Sequence, residues 1–183
     1  MKRASAALRD AGIEFMLGGG LAIFARGGPP TDHDVDLYVR RKDADRALEV
    51  LIDAGLRGER PPEDWLYKAW DDEGNLIDVI FRPAGGEIDD GHFARASEIE
   101  VSAQTLLVAS IDDVLVTKLM AITEQDPDYR AILEIARALR EQVDWAEVEA
   151  RTSDSPFARA FFTLAEGLGI IEDSAAQPVA QAR

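Results

Sequence analysis

Gly18-Gly19-Gly20-Leu21-Ala22-Ile23-Phe24-Ala25-Arg26 runs shortly into Thr31-Asp32-His33-Asp34-Val35-Asp36-Leu37-Tyr38-Val39. In the second stretch Val35, Leu37 and Val39 alternate with Asp34, Asp36 and Tyr38. That period of two marks a half-buried strand whose polar face turns toward a cleft. The glycine run ahead of it interrupts a short strand over 13–17, and Leu21 to Ala25 supplies a turn or two of helix. Further on, Leu76-Ile77-Asp78-Val79-Ile80-Phe81 sets another acid among apolar neighbours, the pattern of a second strand.

Working outward, Ala4 to Ala11 reads as a helix closed by Gly12. Lys42 to Ala54 reads as an amphipathic helix stopped by Gly55, its inward side formed by Ala44, Ala47, Leu48, Leu51 and Ile52. Trp65–Trp70 and Leu76–Phe81 flank Asp71-Asp72-Glu73-Gly74-Asn75, a hairpin signal. Residues 85–91 read as loop, and 99–101 and 106–109 as short strands. Ser110 with Asp113 opens a helix through Ile122. Asp126-Pro127 starts the next helix, to about Leu139, and Val143-Asp144 and Ser155-Pro156 begin two more. The fold class is α+β, a mixed sheet with flanking helices followed by C-terminal helices. The expected division is a core over 1–109, a helical part over 110–171 and a flexible tail over 172–183.

Composition narrows the function. The chain has 183 residues, 46% of them hydrophobic, enough for a real core. Lys and Arg number 20 against 35 Asp and Glu, a formal net charge of -15, which opposes unaided capture of a polyanion. With no Cys, disulfides, thiolate nucleophiles and cysteine-ligated zinc are excluded. No stretch approaches membrane-spanning length and no secretory apolar core follows Met1-Lys2-Arg3, so the expected location is the cytoplasm.

Side chains two apart on a strand point the same way, roughly 7 Å apart at Cα. Asp34 and Asp36 can therefore address one divalent ion or ion pair, with Asp78 joining if its strand lies alongside. Hard carboxylate oxygens suit Mg2+ or Mn2+ and leave positions for phosphate oxygens. The competing reading is solvated strand-face acids, since Asp43-x-Asp45 and Asp126-x-Asp128 repeat the bare spacing. Gly19 and Gly20 suit a turn whose N–H groups face a triphosphate, or a tight turn without a ligand. Arg26 and Thr31 are phosphate-contact candidates or loop covers. Lys118, on the flank of the apolar stripe Ile111, Val114, Leu115, Leu119 and Ile122, is placed to balance phosphate charge or to snorkel at the surface. His33 reads as loop or nucleobase-facing; Trp65, Tyr67 and Trp70 read as core, hairpin surface or base-stacking rings.

Gly19-Gly20, a gap of thirteen residues, then Asp34-Val35-Asp36-Leu37, with Asp78 as a third acid, resembles the signature of the polymerase-beta-like nucleotidyltransferases. Arg26, Thr31 and Lys118-Leu119-Met120-Ala121 bring it close to the bacterial minimal and AbiEii-like branch. That branch includes toxins of toxin–antitoxin pairs and aminoglycoside-modifying relatives. The family's Arg-Asp-x-x-Asp is reduced here to Asp128 within Pro127-Asp128-Tyr129-Arg130-Ala131. The resemblance implies transfer of a nucleoside monophosphate from an NTP to a hydroxyl, with pyrophosphate released. It assigns metal binding to Asp34, Asp36 and Asp78, catalysis to these and Lys118, and nucleotide binding to Gly19, Gly20, Arg26 and Thr31. The acceptor stays open among tRNA, as for a toxin with a cognate antitoxin, protein, and a small molecule such as an aminoglycoside. A catalytically silent, partner-binding relative and a homo-oligomer also stay open.

Overall fold

The computed structural model describes residues 1–31 and 34–171. The expectations for His33 and for the tail over 172–183 lie outside the described residues. Helix α1 (Lys2–Asp10) ends at Ala11 and Gly12, the latter at φ +68°. A two-residue strand β1 (Met16–Leu17) leads to α2 (Gly19–Ala25), β2 (Val35–Tyr38) and α3 (Arg41–Asp53). Then come β3 (Arg57–Glu59), β4 (Leu66–Trp70), β5 (Leu76–Ile80), α4 (Asp90–Arg95), β6 (Ser97–Val101) and β7 (Gln104–Val108). Helices α5 (Ile111–Met120), α6 (Arg130–Leu139), α7 (Trp145–Thr152) and α8 (Pro156–Gly167) complete the chain, so the α+β class holds.

The strands form one sheet in the order β3-β4-β5-β2-β1-β7-β6. It is mixed: β2 runs parallel to β5 and β1 parallel to β7, while the remaining neighbours are antiparallel. Period two decides what each strand buries. Leu37, Ile77, Val79 and Ala69 are buried, and α3 packs on these strands with Ala44, Ala47, Leu48 and Leu51 inward. Each such Leu, Ile or Val side chain, fully buried, contributes about 1.5–3 kcal/mol of transfer free energy. The acids of β2 and β5 fall on the opposite, cleft-facing side. Helix α5 packs against α2, α6, α7 and α8, and one apolar cluster runs from α1 to α8.

Three local features differ from expectation for identifiable reasons. Helix α6 starts at Arg130, not at Asp126-Pro127, because the Asp128 carboxylate takes the Arg130 N–H (2.9 Å) and holds a turn there. Strand β3 (Arg-Gly-Glu) carries no apolar alternation. It is fixed by Gly58, where a Cβ would lie 2.7 Å from Ile52 and 2.9 Å from Leu48. Helix α4 falls in part of a stretch read as loop, because His92 replaces the usual Glu of a capping box: Asp89 accepts from the His92 N–H, and His92 Nδ1 from the Asp89 N–H.

Candidate active site

Parallel pairing of β2 and β5 puts Asp36 directly beside Asp78 and Tyr38 beside Ile80. Neighbouring strands lie about 4.8 Å apart, so the two carboxylates leave the sheet side by side. Asp34 stands exposed just before β2 and close enough to raise the proton affinity of both. Opposite the sheet, Val114, Thr117, Lys118 and Ala121 of α5 recur at i, i+3, i+4 and i+7, one helical face. Between sheet and helix lies a cleft of about 650 Å³, with Asp36, Gly19 and Lys118 among its walls.

The glycine run makes this proximity possible. A Cβ on Gly19 would collide with the Asp36 carboxylate, and one on Gly18 with the Tyr38 ring. Gly19 is also at φ +47°, which a side chain would strain. At Gly20 a Cβ would sit 2.5 Å from Thr31 Oγ1. The freed backbone is then used. Gly18 N–H donates to the Asp36 carbonyl at 2.9 Å, and Gly20 N–H donates to the Asp36 carboxylate. Gly19 N–H and the Thr117 hydroxyl are the hydrogen-bond partners of the buried Tyr38 hydroxyl. The N–H groups expected to face a triphosphate thus hold Asp36 and Tyr38 in place.

Burial pushes the Asp36 carboxyl up to about 6, and the Asp78 and Asp34 carboxylates add to the rise. Lys118 and the Gly20 N–H oppose it. Asp78 is also raised by burial, opposed by Lys68, whose Nζ lies 3.4 Å from Oδ1. Lys68 escaped the sequence reading, although counting back from the β4–β5 turn pairs it with Asp78. Among the described residues no three Asp, Glu or His side chains are gathered tightly enough to hold a metal ion. The donor chemistry still fits one: hard oxygens on adjacent strands, with mutual repulsion that a dication would relieve.

Arg26 is half-buried against the far edge of the sheet. Its Nε donates to the Ala109 carbonyl at 2.8 Å, and its terminal nitrogen to Val108 O and Ser97 Oγ. That guanidinium ties α2 to β6 and β7. A fourth acid went unrecognised beyond its capping role. Asp113 is 2% exposed and accepts from Arg95 (2.8 Å), Arg151 (2.7 Å) and Ser110 Oγ (2.8 Å). Despite burial, these donors hold its carboxyl below the usual range.

A mixed sheet that sets two acids side by side behind a glycine turn, with a lysine-bearing helix opposite, defines the polymerase-beta-like nucleotidyltransferase superfamily, of which this chain is a member. Within it, the chain belongs to the family described as "Uncharacterised nucleotidyltransferase", matched over residues 2–166. The matched family is not specifically AbiEii-like. Among solved structures, the chain is similar to ANT(2")-Ia in complex with adenylyl-2"-tobramycin. That likeness has a TM-score of 0.63 at 18% identity and covers 89% of this chain and 95% of that one. It is also similar to the lincosamide antibiotic adenylyltransferase LnuA, lincomycin-bound, with a TM-score of 0.52 at 14% identity and coverage of 74% and 91%. Both likenesses are of fold. No curated protein matches the sequence. No helix among the described residues is long and apolar enough to cross a membrane.

Proposed function

We propose that this protein transfers a nucleoside monophosphate from an NTP to a hydroxyl group of a small molecule. The observation that carries the reading is that Asp36, paired with Asp78 across β2 and β5, lines a cleft that Lys118 faces from α5. Two findings favour a small acceptor over tRNA. The net charge of -15 repels nucleic acid and attracts cationic compounds. The solved structures of like fold include two whose names carry an adenylylated or bound antibiotic.

Asp36 and Asp78, with Asp34 beside them, would hold Mg2+ or Mn2+, which would supply activation of the attacking hydroxyl and neutralisation of the triphosphate. The chain's own groups divide the remaining work. The acceptor oxygen bonds to the α-phosphorus as the bond from that phosphorus to the bridging oxygen of pyrophosphate breaks. Asp78, raised by burial and still 13% exposed at its side chain, receives the hydroxyl proton. Lys118 offsets charge on the transferring phosphoryl group, a task the carboxylates cannot perform. Gly19 and Gly20 hold Asp36 against the turn, beside which Thr31 sits. Arg26, engaged by β6 and β7, has a positioning role for α2.

Labelled NTPs screened with aminoglycosides, lincosamides and tRNA test the reading. The expected result is transfer to a small hydroxyl compound with release of pyrophosphate. Asp36→Ala should lower that rate by about 1,000-fold, or roughly 4 kcal/mol of barrier at 1.36 kcal/mol per tenfold. Transfer to tRNA alone, or activity that survives Asp36→Ala, refutes it.

A further inference from the structure

The cleft is polarised along its length in a way the transfer reaction alone does not explain. Its charged lining consists of one acid, Asp36, and two cations, Lys118 and Arg82, in a protein whose net charge is -15. From Asp36 the wall continues over Tyr38 and Ile80 to Pro83, Ala84 and the indole of Trp65. Arg82 lies four residues beyond Asp78 and two beyond the end of β5, so at most about 13 Å of chain separates the acid rung from this end at a strand rise near 3.3 Å. An apolar, aromatic channel that ends in a cation suits a flat uncharged ring joined to a polyanion. A polycationic acceptor would meet two like charges here.

Trp65 stands 40% exposed, an unusual state for so large a ring, yet its backbone is fixed. Its carbonyl accepts from both the Phe81 N–H (3.1 Å) and the Arg82 N–H (3.2 Å), just outside the β4–β5 ladder. The Arg82 guanidinium is held in turn by the Asp64 carboxylate at 3.1 Å. An exposed indole on a hydrogen-bonded backbone, beside a guanidinium paired with Asp64, offers a stacking surface.

We propose that Trp65 and Arg82 form the nucleobase subsite of the donor NTP, Trp65 stacking on the base and Arg82 flanking it. The phosphates then lie toward Asp36 and Lys118, and the acceptor enters from the side of Asp34, Asp78 and Lys68. The inference rests on the transferase reading above and adds to it the direction in which the donor lies.

Calorimetric titration with ATP, GTP and inorganic tripolyphosphate, each with Mg2+, tests it. Stacking on one aromatic ring accounts for about 1–3 kcal/mol, so Trp65→Ala should weaken ATP and GTP binding by about 5- to 150-fold. Tripolyphosphate, which has no base, should bind wild type and Trp65→Ala equally well. Trp65→Leu keeps an apolar side chain without a π-face and should lose nearly as much as Trp65→Ala, whereas Trp65→Phe should recover most of the affinity. The subsite is overturned if Trp65→Leu binds ATP like wild type, if tripolyphosphate weakens in step with ATP, or if Trp65→Leu weakens an aminoglycoside instead. If the wild type binds neither ATP nor tripolyphosphate, the transferase reading falls and the subsite falls with it.

Discussion

Two carboxylates, the half-buried Asp36 and the fully buried Asp113, lie on facing elements of this molecule and are treated in opposite ways. Asp113 is surrounded by donors: two guanidinium groups, a serine hydroxyl and, at 4.0 Å, His92. Those partners come from α4, α5 and α7, so the acid joins the sheet-side segment to the C-terminal helices. Asp36 receives one backbone N–H and a distant lysine, and it is flanked by two further acids. Burial raises the proton affinity of both. At Asp113 the donors more than offset it; at Asp36 like charges reinforce it. One acid is used for cohesion, and the other is held in an unfavourable state that a ligand can relieve.

The contrast is broken or sharpened first at Asp113. Asp113→Ala strands two arginines and a serine, and removing one partner from a buried pair costs about 3 kcal/mol or more. Chemical denaturation should show that loss directly. An effect below about 1 kcal/mol would mean that the arginines find other partners and that Asp113 is not a junction. Asp36→Asn should move stability the other way. Removing a charge that burial and two neighbouring acids oppose should raise stability at pH 7 by about 1 kcal/mol, a figure reduced from the full linkage value because Asp36 is partly open to solvent. Added Mg2+ should stabilise the wild type and not this variant.

The same opposition has a pH signature. Asp36 is raised from 3.8 to about 6, so the native state binds protons that the unfolded chain has released. Its stabilising contribution is complete below about pH 4 and is lost as pH rises through 6. Asp113, depressed, contributes above its unfolded value near 3.8 and loses that contribution as pH falls below it. Metal-free wild type should therefore lose about 1 kcal/mol relative to Asp36→Asn between pH 4 and 6. Asp113→Ala should differ most from wild type above pH 4 and converge with it in stronger acid. Parallel curves for wild type and Asp36→Asn would show that Asp36 is well solvated.

How much of this could be read beforehand follows from where each signal lies. Alternation around Asp34 and Asp36, and the apolar frame of Asp78, are local patterns, and the two strands do lie side by side. The Gly18–Gly20 run is equally local, yet its reason is not: only the fold shows Tyr38, Asp36 and Thr31 pressed against it. Arg26 stood open between phosphate contact and loop cover because nothing in its own segment reveals the carbonyls of Val108 and Ala109 that it serves. Asp113 looked like a helix cap because Arg95 and Arg151 are 18 and 38 residues away. The β6–β7 hairpin turns through Ser102 and Ala103 at φ 52° and 58°, where Asn-Gly would have announced it. Local periodicity is legible in sequence; partners brought together by topology are not.

Asp78 stands between the two extremes, and Lys68 is the residue that places it there. The pair is partly open to solvent, with Lys68 31% and Asp78 13% exposed at the side chain. Lys68→Met should therefore cost little stability, below about 1 kcal/mol. It removes a cation that opposes the burial of Asp78, so that carboxyl must rise further. If Asp78 takes the proton of the attacking hydroxyl, the acid limb of the transfer rate should move to higher pH in Lys68→Met, and the rates should converge again in alkali. A rate lowered uniformly at every pH would assign Lys68 to substrate binding. An unchanged profile would remove Asp78 from proton transfer and leave Asp36 as the one acid of the cleft held for chemistry.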